Sequence, residues 1–327
     1  MRVLITGVDG FVGSHAAEFL LSQAGAEVHG TILGESPTRN LDGIAGPSLH
    51  LHQLDILDAA RTAKLFAQIR PERVLHLAGQ AFVPASLSDP LATFQANIVG
   101  GMNVLEGCRK LTGDGGPGPH VMVVSTGEVY GKVDPKHQPI RETCPINPNN
   151  PYAASKASID LIAQQFAMSF GLTVTVVRPF NHVGPRQSPV FVCSDFGKQF
   201  AEIAAGSRPP ELRVGNLQAR RDFTDVRDVV RAYWMLFDRK ESDVVYNICS
   251  GQTLQIRDIL EAFQTLSGIS VKIISEPQRL RPYDVSTVVG SNERLRGATG
   301  WSPSILIRQT LMDVFEYWKD EVGESKM

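Results

Sequence analysis

Cysteine is scarce in this chain of 327 residues, which contains four cysteines: Cys108, Cys144, Cys193 and Cys249. They lie far apart and form neither a Cys-x-x-Cys pair nor a cluster with histidine. This spacing argues against a structural zinc site and against a disulfide framework. The thiols are therefore expected to be reduced, as they are in cytoplasmic proteins.

An excess of charge and a long hydrophobic run are also missing. Lys and Arg together number 32, Asp and Glu number 34, and the net charge is -2. Such a balance gives no reason to expect a nucleic acid or an anionic membrane surface as a partner. No apolar run approaches the ~20 residues of a membrane span, and no basic segment leads into an apolar one as in a signal peptide. We expect a cytoplasmic protein.

A glycine-rich turn stands near the start of the chain. Arg2–Thr6 is a short strand-like run, and Gly7, Gly10 and Gly13 follow it at the spacing G-x-x-G-x-x-G, before the amphipathic segment His15–Gln23. A strand, a glycine turn and a helix in this order favour a dinucleotide cofactor. The helix N-terminus would meet the charge of its pyrophosphate.

The second predicted strand, Glu27–Leu33, does not settle which cofactor binds. An acidic residue at the end of this strand favours NAD, and an arginine favours NADP. Leu33 and Gly34 stand there instead, and the nearest cation is Arg39 in a polar loop. The choice between NADP(H) and NAD(H) stays open.

Strand-like and helical segments alternate over the first two thirds of the chain. The other predicted strands are Leu49–Leu54, Arg73–Leu77, His120–Ser125 and Thr173–Arg178, and the helical segments include Ala59–Ile69 and Leu91–Leu111, the latter broken at Gly100 and Gly101. This alternation predicts an α/β fold with a doubly wound parallel sheet of the Rossmann type. We expect a dinucleotide-binding domain at residues 1–178 and a smaller substrate-binding lobe at 179–327, interleaved with the sheet.

A tyrosine and a lysine share one helix face in the segment Asn149–Lys156, which reads NNPYAASK. Tyr152 and Lys156 are four residues apart, about one helical turn. A nearby ammonium favours the phenolate, so Tyr152 is predicted to exchange protons closer to neutral pH than the ~10 of a free phenol. Carbonyl reduction and alcohol oxidation both need such a group, although the pair alone could equally be a surface contact.

Seven motifs follow one another in the order found in extended short-chain dehydrogenases that act on nucleotide sugars. They are TGVDGFVG at Thr6, HLAG at His76, STGEVYG at Ser125, YAASK at Tyr152, RPFNHVGP at Arg178, RDFTDVRD at Arg221 and RP at Arg281. The resemblance covers essentially the whole chain. Within that family, the chain most resembles GDP-4-keto-6-deoxy-D-mannose reductases, which make GDP-D-rhamnose. This resemblance implies NAD(P)H-dependent reduction of a sugar ketone.

The resemblance also implies a role for individual residues. Tyr152 would protonate the C4 oxygen of the ketone, Thr126 would hydrogen-bond the same oxygen, and Lys156 would lower the Tyr152 pKa and hold the nicotinamide ribose. The implied cofactor contacts are Gly7, Gly10, Phe11, Val12, Gly13, Asp55, Ile56, Leu77, Ala78, Gly79, Tyr152 and Lys156. The implied contacts of the GDP-sugar are Thr126, Glu128, Asn181, Arg221 and Arg281, of which the two arginines would hold the diphosphate.

Arg221 and two further residues, Asn97 and Tyr233, have simpler structural interpretations. Arg221 could form a surface salt bridge with Asp222 or Asp225. Asn97 could tie its helix to a strand, so it is not counted among the catalytic residues. Tyr233, at helical spacing, is expected in the core.

Two other functions remain open alternatives. One is a 4,6-dehydratase or epimerase that keeps its cofactor bound through the cycle, and the other is a cofactor-binding regulatory protein without activity. Related dehydratases place Asp-Glu or Ser-Glu after the catalytic threonine, whereas here Gly127 supplies no acid and only Glu128 follows. The short loop Gly34–Ile44 lacks the arginine-rich segment with which GDP-mannose dehydratases pair into tetramers. We therefore expect a reductase that forms a homodimer.

Overall fold

The computed structural model describes residues 1–35, 39–44, 46, 48–113, 118–239, 244–279 and 285–324. The strands are β1 (Arg2–Thr6), β2 (Glu27–Ile32), β3 (Leu49–Gln53), β4 (Arg73–His76), β5 (His120–Val124), β6 (Val174–Pro179), β7 (Asn181–Val183), β8 (Glu211–Val214), β9 (Arg220–Arg221), β10 (Phe223–Asp225), β11 (Val244–Ile248), β12 (Leu254–Gln255) and β13 (Lys272–Ser275). The helices are α1 (Phe11–Leu21), α2 (Ala59–Ile69), α3 (Val83–Ser88), α4 (Pro90–Phe94), α5 (Gly100–Gly113), α6 (Pro151–Phe170), α7 (Val192–Ala204), α8 (Val226–Phe237), α9 (Ile256–Ser267), α10 (Glu293–Thr299) and α11 (Ile307–Glu324). Among these helices, none is long and apolar enough to span a bilayer.

A parallel sheet forms the centre of the molecule. In the described part of the chain it has seven strands in the order β11-β6-β5-β4-β1-β2-β3. The chain adds β2 and β3 on one side of β1 and then crosses to add β4, β5 and β6 on the other side. All of these neighbours pair in parallel. The predicted doubly wound fold is confirmed, and its switch point lies between β1 and β4, where such sheets bind ligands.

Helices cover both faces of the sheet. Helices α1 and α8 pack on one face over a core that includes Val3, Ile5, Val28 and Tyr233. Helices α2, α5 and α6 cover the other face, over a second core. Tyr233 is 1 % exposed, as its helical spacing predicts.

Helix α5 does not break at the two glycines where the sequence predicts a break. A π-helical turn at Gln95–Val99 leads directly into α5, which begins at Gly100. A Cβ atom on Gly100 would lie 2.5 Å from Ile56 Cδ1, and one on Gly101 would lie 2.7 Å from Ile159 Cδ1. The glycines therefore let α5 pack closely against its neighbours, and they do not end it.

The last third of the chain builds a smaller lobe and also contributes to the sheet. Helices α7, α9 and α11 pack together with β8 and β13 around a third core. Strand β11 returns to the main sheet and pairs with β6, with Val244 opposite Thr175. Strands β7 and β10 pair beside the carboxyl end of β6. The lobe thus lies beside the edge at which the strands of the sheet end.

Candidate active site

Helix α6 brings Tyr152 and Lys156 beside the end of strand β5. The Tyr152 hydroxyl is hydrogen-bonded to the Thr126 side chain. Lys156 Nζ donates to the carbonyl oxygen of Val124, the last residue of β5, at 3.0 Å. The three residues expected to be catalytic are therefore brought together at the carboxyl edge of the sheet.

Protonation of Tyr152 differs from the prediction. Burial raises the pKa of Tyr152, the carboxylate of Glu128 raises it further, and the hydrogen bond with Thr126 acts in the opposite direction. Burial also lowers the pKa of Lys156 to about 8. The net shift of the Tyr152 pKa is thus opposite to the expected one. The phenol stays protonated at neutral pH, which is the state that a general acid must have before it donates.

Glu128 is linked to the start of the helix that carries Tyr152. Its backbone amide donates to Thr126 Oγ1 at 3.2 Å, and its Oε2 accepts from Asn150 Nδ2 at 3.1 Å. Asn150 in turn caps α6, because its Oδ1 accepts from the amide of Ala153 at 2.8 Å. The half-buried carboxylate therefore has a defined position close enough to affect the phenol.

Gly127 packs against an aromatic ring. A Cβ atom at this position would lie 2.9 Å from Cδ2 of Phe180. Phe180 is 5 % exposed and also packs against Gly290, where an added Cβ would lie 2.8 Å from the same ring. A side chain at the position where related dehydratases carry aspartate or serine would therefore require the Phe180 ring to shift.

The glycine turn after β1 forms a tight cradle. Gly7 has φ of 70°, and a Cβ on it would lie 3.0 Å from the Cα atom of Ala78. A Cβ on Gly13 would lie 2.3 Å from the Gly7 carbonyl oxygen. Gly10 is the N-cap of α1 and offers no side chain that could cap the helix. The backbone amides at the start of α1 therefore suit a pyrophosphate, as the sequence predicts.

Phe11 and Val12 form the first turn of α1 beside this cradle. The Phe11 ring stacks on His182 with centroids 5.8 Å apart and an interplanar angle of 6°. His182 lies on β7, and burial lowers its pKa. This contact connects the expected cofactor cradle with the strand that carries Asn181.

The loop after β4 is held by a buried hydroxyl. Thr6 Oγ1 accepts from the amides of Leu77 and Ala78 at 3.1 and 3.2 Å and is 2.8 Å from His76 Nδ1. Burial and the nearby charge of Lys156 lower the pKa of His76 to about 3. His76 is therefore neutral at physiological pH and positions the loop rather than exchanging protons.

Gly79 and Asn97 bring this loop close to Lys156. Gly79 has φ of 154°, and a Cβ on it would lie 2.5 Å from Asn97 Oδ1 and 4.0 Å from Lys156 Nζ. Asn97 Oδ1 accepts from the Gln80 amide at 2.8 Å, and its Nδ2 donates to Ser155 Oγ at 2.8 Å. The sequence suggested that Asn97 ties its helix to a strand. It did not indicate that Asn97 joins the expected cofactor loop to α6. The one feature of the local sequence that could have indicated this contact is that Asn97 stands shortly before Gly100 and Gly101 of α5.

Asp55 and Ile56 lie at the carboxyl end of the edge strand β3. Asp55 is exposed, and its Oδ1 accepts from the Leu57 amide at 2.9 Å. Ile56 is buried against α5, and its carbonyl oxygen accepts from Asn103 Nδ2 at 2.8 Å. Their position suits the expected contact with the adenine end of a dinucleotide.

The end of β2 carries an exposed apolar side chain. Leu33 is 72 % exposed. Arg39 lies on a short helical turn, and its guanidinium pairs with Glu321 and Glu324 of α11. The cation nearest to this strand end is therefore held by carboxylates of the C-terminal helix.

Two of the expected substrate residues, Asn181 and Arg221, lie on the smaller lobe, whereas Thr126 and Glu128 follow β5. Asn181 is exposed on β7, and its strand partner is Phe223, two residues after Arg221. The Arg221 Nη1 donates to the carbonyl oxygen of Val285 at 2.6 Å. Arg281 lies outside the described residues.

The carboxylates suggested as salt-bridge partners of Arg221 have other contacts. Asp222 is buried and accepts hydrogen bonds from the amides of Ser250 and Gly251 at 2.8 and 3.0 Å. Asp225 pairs with Arg227 at 2.7 Å. These bonds hold both carboxylates inside the lobe.

The glycine cradle, the parallel sheet and the Tyr-Lys helix define an extended short-chain dehydrogenase. Residues 4–314 match the family model described as GDP-mannose 4,6 dehydratase. The chain belongs to this family, which confirms the predicted resemblance.

Curated relatives extend over nearly the whole chain. One is the GDP-6-deoxy-D-mannose reductase of Pseudomonas aeruginosa, which is 35 % identical over 324 residues and covers 99 % of both chains. The GDP-mannose 4,6-dehydratase of Vibrio cholerae is 28 % identical and covers 94 % of this chain and 91 % of its own length. The family thus contains both a reductase and dehydratases.

Solved structures show the same fold. The structure of RMD from Pseudomonas aeruginosa complexed with NADPH has a TM-score of 0.84 at 33 % identity and covers 98 % of this chain and 99 % of its own. The UDP-glucose 4-epimerase of Thermotoga maritima, with UDP-glucose, has a TM-score of 0.88 at 28 % identity and covers 98 % of this chain and 100 % of its own. One fold therefore serves several reactions of nucleotide sugars.

Proposed function

We propose that this protein reduces the C4 ketone of GDP-4-keto-6-deoxy-D-mannose to GDP-D-rhamnose with NADPH. The observation that carries the proposal is the packing of Gly127 against Phe180 beside an intact pair of Thr126 and Tyr152. Dehydration needs an acid for the leaving C6 hydroxyl, whereas Gly127 supplies none and a side chain there would crowd Phe180. Ketone reduction needs only a proton donor and a reduced cofactor. Similarity to a reductase over the whole chain supports the same assignment.

The chain supplies the proton and the orientation of the substrate. NADPH, when bound, supplies the hydride that adds to C4. Tyr152 donates its hydroxyl proton to the ketone oxygen, so ketone, hydride and proton together give the alcohol. Thr126 donates a hydrogen bond to the same oxygen, which polarises the carbonyl. Lys156 holds the nicotinamide ribose.

The cradle at Gly7, Gly10 and Gly13 holds the pyrophosphate of the cofactor in this proposal, and Asp55 meets its adenine. The shape of the loops fits this role, because a Cβ on Gly7 or Gly13 would collide with backbone atoms. We favour NADPH over NADH because a structure of 33 % identity was solved with NADPH. The end of β2 favours neither cofactor, because Leu33 and Gly34 stand where an acid or an arginine would.

The two parts of the chain divide the ligands between them. Residues 1–178 hold the cofactor, and residues 179–327 hold most of the GDP-sugar, with Asn181 toward the sugar. Glu128, from the first part, also faces the sugar. Arg221 and Arg281 hold the diphosphate. Guanidinium groups suit this task because they bind phosphate oxygens bidentately.

The active unit is a homodimer formed through α5 and α6. Met102 on α5 and Leu161, Met168 and Phe170 on α6 are apolar side chains that are 41 to 71 % exposed. Arg109 of α5 lies over the Phe170 ring at 5.3 Å, so the two helices present one continuous surface. Such a surface suits a second copy related by two-fold symmetry.

Light scattering tests the dimer. Leu161→Glu should lower the mass toward that of one chain. Leu306→Glu is the matched control, because Leu306 is 78 % exposed and lies outside the two helices. An unchanged mass for Leu161→Glu would place the interface elsewhere.

The cytoplasm is the proposed location. All four cysteines are free thiols. Three of them, Cys108, Cys193 and Cys249, are buried. Unpaired thiols are typical of proteins from reducing compartments.

The reaction is tested by incubating the protein with GDP-4-keto-6-deoxy-D-mannose and NADPH and measuring cofactor and product together. The expected result is one NADPH consumed per GDP-D-rhamnose formed, with the product identified by NMR. GDP-mannose with catalytic NADP is the control substrate, and it should yield the 4-keto sugar far more slowly. Rapid formation of the 4-keto sugar from GDP-mannose would make the protein a dehydratase, an activity for which Glu128 would be the base.

A further inference from the structure

Three histidines and a glutamate cluster on the edge of the sheet. Glu27 and His29 lie on β2, and His50 and His52 lie on the edge strand β3. His29 is the register partner of His50. Because side chains alternate along a strand, all four project from the same face of the sheet. None of the four belongs to the proposed active site.

The ligand atoms of three of these residues converge on a small volume. His29 Nε2 is 3.2 Å from Glu27 Oε1, and His50 Nε2 is 3.6 Å from the same oxygen. All three atoms lie within 4.8 Å of one another. In a tetrahedral zinc site with bonds of ~2.0 to 2.2 Å, ligand atoms lie roughly 3.3 to 3.6 Å apart. The separation of 3.6 Å lies in that range, and the separation of 3.2 Å is 0.1 Å below it.

The fourth residue orients a ligand. His29 Nδ1 and His52 Nε2 are 3.0 Å apart, and the two rings stack with centroids 5.3 Å apart. Metal-bound histidines usually donate their second ring N–H to such a partner. Binding through His29 Nε2 needs the tautomer in which Nδ1–H donates to His52. Both rings stay neutral in that tautomer, so no net proton is taken up or released.

Burial and charge suit a cation that enters from solvent. His29 is 9 % exposed, whereas the side chains of Glu27 and His50 are 47 and 44 % exposed. The Glu27 carboxylate supplies a negative charge. Arg2 on the neighbouring strand is the opposing positive charge, and it acts on His29 less strongly than Glu27 does. The His50 ring stacks on its register partner His29 with centroids 4.9 Å apart, and this stacking brings the second imidazole to the same carboxylate oxygen.

We propose that Glu27, His29 and His50 bind a divalent transition metal ion of the zinc class, with water as the fourth ligand. Two imidazoles and one carboxylate are a ligand set that zinc prefers in tetrahedral geometry. The ion would join β2 to the edge strand β3, whose end carries Asp55. The site is independent of the proposed reaction.

Calorimetric titration of the full chain, without a histidine tag and after treatment with a chelator, tests the site. Zinc chloride should bind with one ion per chain, and cobalt(II) should give the visible absorption of tetrahedral coordination. His50→Ala should weaken zinc binding more than about tenfold, since even outer-shell partners of a ligand are worth that much. Glu27→Gln, which keeps the size of the side chain, should weaken binding in the same direction.

His137→Ala is the matched control, because His137 is exposed and lies on a separate helical turn. It should bind zinc like the unchanged protein. His50 is itself largely exposed, so its removal should leave the circular dichroism spectrum unchanged. Absence of stoichiometric binding, or zinc binding that survives both His50→Ala and Glu27→Gln, would overturn the proposal.

Discussion

Burial acts on Tyr152 and Lys156 in opposite directions. It disfavours the charged form of each group, so the phenol pKa rises and the ammonium pKa falls to about 8. The spacing in the sequence predicted that the two side chains share a helix face. It could not predict their depth beneath the sheet edge or that Lys156 donates to Val124, since both depend on how α6 packs on β5.

Tyr152→Phe should remove most turnover and leave NADPH binding nearly unchanged, because it deletes a proton donor and little volume. General acid catalysis contributes ~10²- to 10⁴-fold, so kcat should fall by at least about a hundredfold. Steady-state kinetics and a fluorescence titration of NADPH measure both effects. Tyr317→Phe, on α11, is the control with the same chemical change. A loss below about tenfold in the Tyr152 variant would show that another group donates the proton.

NADPH binding should weaken above about pH 8, where Lys156 loses its charge. The pKa of Lys156 is lowered by burial to about 8, so the ammonium is present below that pH and a neutral amine above it. A neutral donor forms a hydrogen bond weaker by ~1 kcal/mol, or about fivefold in affinity. The Kd for NADPH should therefore rise about fivefold as the pH passes about 8. Lys156→Met should bind weakly with no step, and a flat profile for the unchanged protein would contradict the ribose role.

Among the secondary-structure elements, the local sequence pattern predicted most strands and helices in the first two thirds of the chain. Strand β1 and helix α2 have the predicted bounds, and β2, β3 and β5 end one residue earlier than predicted. The inner strands are visible in the sequence as short apolar runs, because helices cover both faces of the sheet, and α2 is visible because only one of its sides is buried. The continuity of α5 was missed, since Gly100 makes room for Ile56, which is distant in sequence. The packing of Phe180 on Gly127 also joins residues that are distant in sequence, so the local pattern could not predict it.

Gly127→Ser should destabilise the protein without creating a dehydratase. Its Cβ would lie 2.9 Å from the Phe180 ring, and overpacking of this kind costs roughly 1 to 3 kcal/mol. Urea unfolding measures the change. Gly297→Ser on α10 is the matched control, because a Cβ there meets no atom within 4 Å. Equal stability of the two variants would show that Phe180 leaves space for a side chain after Thr126.

At the scale of the whole molecule, the sequence identified the family because its motifs are spread along the chain. The parallel sheet collects the first of these motifs at one edge. The contact of Arg39 with α11 could not be predicted, because it joins residues that are distant in sequence. The expected role of Arg281, which lies outside the described residues, stays a prediction.

Stability should fall as the pH drops below about 6.5, because several histidines are buried in the neutral form. Burial lowers the pKa of His15 and His120 to about 4 and that of His76 to about 3. Below the ordinary value of ~6.5 the unfolded chain binds protons that the folded chain does not, so the free energy of unfolding decreases. Each group contributes at most about 1.4 kcal/mol per pH unit.

Urea unfolding at about pH 7.5 and about pH 5.5 measures this difference. His120→Gln should reduce it, since His120 is buried beside Thr175 and lies outside the proposed active site. Equal unfolding energies at the two pH values would contradict the burial of neutral histidines.

In the proposed reaction, hydride passes from an exchangeable NADPH to C4 of the sugar while Tyr152 provides the proton. The most direct measurement uses NADPH that carries deuterium at the transferable position of the nicotinamide, with GDP-4-keto-6-deoxy-D-mannose as substrate. Mass spectrometry and NMR of the product should find one deuterium per molecule, bound to C4, for each NADPH oxidised. A product without deuterium would show that the cofactor returns its hydride within one catalytic cycle, as in a dehydratase or an epimerase, and would contradict the assignment as a reductase.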